Sequence, residues 1–127
     1  MCRAADIDIS VYTETLVKKS RKDHVCGECG RTIERGESYL RAFSICDGDP
    51  FTNLFCTHCI IPMKWLIENC STYIYTEVRS DIREHARDYK RTDLARMSVA
   101  MKRGWRRFDG KGLMQPMLLP PPIKVAA

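Results

Sequence analysis

HVCGECGRTIERGESY, residues 24–39, sets Cys26 and Cys29 at C-x2-C spacing, follows each with a glycine, and places His24 just ahead. A pair of cysteines at this spacing belongs to a redox dithiol, a disulfide framework or a metal site. A redox pair needs a βαβ context, which the surrounding residues lack. A second pair, Cys56-x2-Cys59, follows after the 26 residues 30–55. Two such knuckles bring four soft thiolates to one tetrahedron, which selects Zn²⁺, with iron as the main competitor. The spacing predicts one structural Zn²⁺ on Cys26, Cys29, Cys56 and Cys59. Gly27 and Gly30 suit a sharp turn that presents backbone N–H groups to sulfur. His24 is a candidate to replace a cysteine or to hydrogen-bond a thiolate from outside the ligand set. His58, within the second pair, is expected to point away from the metal.

Outward from the knuckle, DIDISVY (6–12) alternates apolar and polar residues as a half-buried strand does. KKSRKDH (18–24) reads as a polar connector. ESYLRAFSIC (37–46) and FTNLFC (51–56) flank the turn signal DGDP (47–50) and predict a β-hairpin. A helix is expected over about 57–69, with Pro62 in its first turn. A second helix carries Val78, Ile82, Ala86 and Tyr89 on one face, and a third runs from Thr92-Asp93 to about Phe108. The order of knuckle, hairpin and second pair at a helix start resembles a treble-clef zinc finger. The fold expected is therefore α+β: a zinc-binding domain over 1–76, a basic helical extension over 77–110 packed on it, and a flexible proline-rich tail over 111–127.

The totals agree with a single domain: 127 residues, 44% hydrophobic and 29% charged. MCRAADIDISVY has no apolar core of a secretory signal, and no stretch reaches the ~18 apolar residues of a membrane span. The seven cysteines are accordingly read as thiols or ligands in a reducing cytoplasm, with Cys46 and Cys70 as small buried hydrophobes. Charge is uneven: nine basic and ten acidic side chains over 1–76, twelve and six over 77–127.

Residues 21–59 also resemble a family of small bacteriophage and prophage proteins. The shared pattern is R-K-x-H-x-C-x2-C-x3-I-x2-G-E-x-Y, a D-G turn, then C-x2-C. It is carried here by His24, Cys26, Cys29, Ile33, Gly36, Glu37, Tyr39, Asp47, Gly48, Cys56 and Cys59. The resemblance implies a zinc knuckle and a phage origin, hence a host-cell cytoplasm, and little about activity. Independently, Ile33 would pack beneath the knuckle and Tyr39 would cover its apolar side.

Enzymatic chemistry finds little support. A catalytic zinc keeps an open position, and four cysteines leave none. Nucleases of the His-metal type need histidines that residues 37–56 do not supply. Asp81 and His85 share a helix face, but Arg79, Arg83 and Arg87 interleave as on a solvated, ion-paired surface. The other informative stretch is KRTDLARMSVAMKRGWRRFDGKG (90–112). Drawn as one helix, it sets Leu94, Met97, Met101, Trp105 and Phe108 on an arc of roughly 80°. Arg91, Arg96, Lys102, Arg103, Arg106 and Arg107 gather opposite. Guanidinium forks suit phosphate, so the sequence reads as a non-enzymatic zinc protein that binds nucleic acid. The alternative is an adaptor or inhibitor that docks on a host or phage protein complex such as polymerase or a defence system.

Overall fold

Asp47 and Gly48 decide how the sheet is joined. Both have positive φ (51° and 83°), the signature of a type I′ turn. The turn connects β4 (Tyr39–Cys46) to β5 (Asp49–Cys56) with Cys46 opposite Asp49, and the ladder ends with Tyr39 opposite Cys56. The computed structural model describes residues 9–70 and 73–123, with side chains from Tyr12 onward. Within it β1 (Ile9–Val17) pairs antiparallel with β4, so the sheet order is β1-β4-β5. The strand expected over 6–12 thus runs further, to Val17, and its first residues lie outside the described ones. A short ribbon of β2 (His24–Val25) and β3 (Thr32–Ile33) frames the first cysteine pair.

Chain direction then switches without a linker: β5 ends at Cys56 and α1 (Thr57–Cys70) begins at the next residue. Pro62 falls in the second turn of α1, where it has no N–H for the His58 carbonyl. Helices α2 (Val78–Asp88) and α3 (Thr92–Lys102) follow. Val78, Ile82 and Ala86 are buried as their spacing predicts, whereas Tyr89 is exposed and stacks on His85. The described residues are therefore α+β, with a small sheet, three helices and one core. That core gathers Ile33, Phe55, Trp65, Leu66, Ile82, Leu94, Met97 and Trp105. No helix is long and apolar enough to cross a membrane among the described residues.

Further expectations need correction. The third helix does not reach Phe108. It stops at Lys102, where the Gly104 N–H donates to Met101 O (2.9 Å) and the Trp105 N–H donates to Ala100 O (2.8 Å). That is the Schellman closure, with Gly104 at φ 66° as its left-handed residue. Phe108, expected on the buried arc, is 86% exposed. The proline-rich segment is not free over its described part. Trp65 Nε1 donates to Pro121 O, the Ile123 N–H donates to Asn69 Oδ1, and Pro120 is buried. Finally, Cys46 is disulfide-bonded rather than reduced, its partner lying outside the described residues.

Helix α2 ends in the same closure as α3, the Arg91 N–H donating to Ala86 O at 2.9 Å, but Lys90 occupies the left-handed position at φ 51°. A Cβ is disfavoured there. Lys90→Gly is expected to stabilise the chain by up to about 1 kcal/mol, read as a rise in urea midpoint at unchanged slope.

Candidate metal centre

Each pair of sulfurs is delivered by a different device. The first knuckle is closed by the Cys26 N–H donating to Arg31 O, the Gly30 N–H donating to Cys26 O, and the Gly27 N–H donating to Leu54 O of β5. A side chain at Gly27 would be crowded: a Cβ would stand 3.3 Å from the Phe55 ring and 3.4 Å from Leu54 O. The second pair straddles the start of α1, Cys56 just before it and Cys59 in its first turn. There the positive helix end and unpaired N–H groups favour thiolate charge.

The four Sγ atoms all lie within 4.8 Å of one another. Cys26 to Cys59 and Cys29 to Cys56 are each 3.7 Å. A regular tetrahedron about a metal with ~2.3 Å metal–sulfur bonds has sulfurs about 3.8 Å apart, so the cage is the size of one mononuclear tetrathiolate ion. It is too tight for a four-iron cluster, whose cysteines stand on a larger cube. The donor set could also hold a cation, since its thiols do not ionise together without one. Neighbouring thiols, Cys29 foremost, pull Cys26 well below the ordinary thiol range, while the same neighbours, Cys26 foremost, push Cys29 and Cys59 far up. The buried cluster cannot carry four negative charges unless a metal ion compensates them.

Around the sulfurs, donors converge. The Cys56 N–H donates to Cys26 Sγ at 3.2 Å, and Trp105 Nε1 donates to Cys59 Sγ at 3.2 Å. Arg31 forks onto Glu37 (3.1 and 3.2 Å) and lies beside Cys56. Burial opposes its charge, but Glu37 and the Cys56 sulfur more than offset this and raise its pKa further. Glu28, inside the first knuckle, accepts the Thr76 N–H at 2.6 Å and the Val78 N–H at 3.2 Å, which ties the knuckle to the start of α2. Burial pushes the Glu28 carboxyl up to about 7 against those two donors; a dication among the sulfurs acts in the opposite direction.

The two histidines part ways. His24 is not brought among the sulfurs; its ring packs on Tyr39 at 5.0 Å between centroids. His58 points away as expected, with Nε2 2.7 Å from Met114 O and Nδ1 3.4 Å from Arg31. Sequence reasoning missed Arg31, Glu28 and Trp105 as partners of the knuckle. For Trp105 a signal existed, since Gly104 directly before it marks a helix end.

The cationic residues divide in the same way. Arg91 is committed: it forks onto Asp93 (2.9 and 2.6 Å) and donates to Pro121 O at 2.9 Å, pinning the C-terminal segment. Arg103, Arg106 and Arg107 lie beyond the helix, in a turn closed by a bridge between Arg106 and Leu113. With Arg96 of α3 they line a groove of about 750 Å³ floored by Val99, Ala100, Met114 and Met117. Arg103 lies 4.5 Å from the centre of the Phe108 ring and donates to Arg107 O. Asp109 is the one acidic residue among the described lining, and it pairs with Arg107 at 3.5 Å. Lys102 is exposed at the end of α3 and is not in this lining. The chain matches no protein-family model, no curated protein and no solved structure.

Proposed function

We propose that the four cysteines hold one Zn²⁺ as a structural, treble-clef-like centre, and that the chain is a non-catalytic module binding single-stranded nucleic acid. The zinc reading rests on the tetrathiolate cage and its 3.7 Å spacings. The resemblance of residues 21–59 to small phage proteins agrees with the zinc reading.

One observation carries the binding reading: Arg96, Arg103, Arg106 and Arg107 meet around one groove beside an aromatic ring that is 86% exposed. Guanidinium forks take phosphate oxygens and an exposed ring takes a base face, which together suit a flexible strand better than a duplex. An R106E/R107E double variant is expected to weaken binding of a labelled oligothymidylate by at least about tenfold at low salt, with affinity falling steeply as salt rises. Arg91→Gln is expected to leave it unchanged. Failure of wild-type protein to bind DNA or RNA strands at low salt would sink the reading. The apolar floor of the groove favours a second reading, an acidic protein partner whose hydrophobic side chains enter between the arginines. Capture of one host protein from nuclease-treated lysate, lost in the same double variant, would support that instead.

A further inference from the structure

Cys70, in the last turn of α1, is the one free cysteine among the described residues that stands outside the sulfur cluster. It is partly exposed, and its Sγ lies 2.7 Å from His85 Nε2 on α2. The other ring nitrogen, Nδ1, lies 2.8 Å from the Asp81 carbonyl oxygen and 3.3 Å from Asp81 Oδ1. Both are acceptors, so Nδ1 carries the ring proton and Nε2 turns its lone pair to the thiol. Trp65 holds the ring edge-on at 5.5 Å and Tyr89 stacks on it at 6.0 Å. A thiol, a base and a group that orients the base are thus assembled from two helices, in the order nucleophilic catalysis uses.

We propose that Cys70 is a nucleophilic thiol with His85 as its base and Asp81 as the orienting group, and that it takes up small cationic disulfides by thiol–disulfide exchange. Burial, and then the Asp81 charge, push the Cys70 thiol up, so it rests as S–H and loses its proton during attack. His85 Nε2 accepts that proton as Sγ bonds to one sulfur of the incoming disulfide and the disulfide's own S–S bond breaks. The departing thiolate takes the proton back from His85. The products are a mixed disulfide at Cys70 and one free small thiol, with no other oxidant or reductant involved.

The preference for a cation comes from the surroundings. A hollow of about 280 Å³ adjoins the site through Asp81 and is lined also by Glu77 and Glu84. Both carboxylates add negative charge around Asp81. An ammonium group is attracted there and an anionic disulfide is repelled. This site is separate from the sulfur cage and from the arginine groove, so its fate is independent of the binding reading above.

The test uses the full metal-loaded chain at pH 7 with cystamine or glutathione disulfide, following the Cys70 peptide by mass spectrometry. Cys70 of the native chain is expected to react with cystamine at least about tenfold faster than in the same chain unfolded in urea. His85→Gln is expected to remove that advantage. Cystamine should also outpace glutathione disulfide by a larger factor in the native chain than in the unfolded one. A native rate at or below the unfolded rate overturns the proposal, as does a His85→Gln variant that is folded and reacts like wild type. Should that variant not fold, the native-versus-unfolded comparison decides by itself. Equal native selectivity for the two disulfides overturns the assignment of a cationic reactant.

Discussion

Cys59→Ser, or removal of the metal by a strong chelator, is expected to unfold the chain rather than loosen it locally. Cys26, Cys56 and Cys59 are buried members of the same core as Trp65 and Leu66, so the cage is continuous with the hydrophobic interior. Structural zinc binding contributes about 10–16 kcal/mol of apparent free energy at neutral pH, against a total domain stability of about 5–15 kcal/mol. Loss of the ion is therefore comparable to the whole margin available. Near-UV circular dichroism reads the result directly, because Trp65 and Trp105 are fully buried and report on fixed packing. Elemental analysis of the native chain should give about one metal ion per chain. Acid should produce the same collapse, because protonated thiols release the metal. Glu37 adds to it. Burial opposes its charge, but Arg31 outweighs burial and holds the carboxyl below its ordinary value of 4.5. Its contribution is present above pH 4.5 and is lost as pH falls through that lowered value. A metal-free chain with native tryptophan signals and a cooperative melt would refute the structural role of the site.

The cage was legible in the sequence because its information is local. C-x2-C turns, the Asp47-Gly48 hairpin and the apolar face of Val78, Ile82 and Ala86 each need only neighbouring residues to be read. Ile33 is likewise fully buried, in one core cluster with Cys26. What escaped was information shared between distant segments. Glu28 reaches across about fifty positions to the α2 N-terminus, and no pattern around residue 28 signals that. Cys70 and His85 come together only because α1 and α2 pack on each other. The helix expected to reach Phe108 is a different kind of miss. The apolar periodicity of Met97, Met101 and Trp105 continues past Gly104, but the backbone obeys the glycine stop signal instead. The consequence is large, because it turns a straight arginine face into a groove with an exposed ring.

Trp105 is where that redirected chain meets the sulfur cage, and Trp105→Ala is expected to cost about 3–5 kcal/mol, the usual range for truncating a buried aromatic. The residue is completely buried with a positive φ of 60°, a backbone conformation that a non-glycine residue holds only under strong constraint. The constraints are visible. Its N–H closes α3 on Ala100, its carbonyl accepts the Met114 N–H at 2.8 Å, and its indole N–H donates to Cys59 Sγ. Gly104 beside it holds φ 66°, where a side chain is disfavoured, and a Cβ there would crowd the Arg31 Cβ at 3.3 Å. Trp105→Phe separates packing from hydrogen bonding. It retains a large apolar ring but leaves the Cys59 sulfur without its indole donor. Such outer partners of a metal ligand typically carry 10–100-fold in metal affinity. Competition against a chromophoric chelator should therefore show Trp105→Phe surrendering its metal at least about tenfold more readily than wild type, with a smaller loss of thermal stability than Trp105→Ala. Metal retention equal to wild type in a folded Trp105→Phe would show that the indole N–H adds nothing to the site. The tryptophan would then act by packing alone, clamping the 104–114 turn, and with it the arginine groove, onto the core that carries the four cysteines.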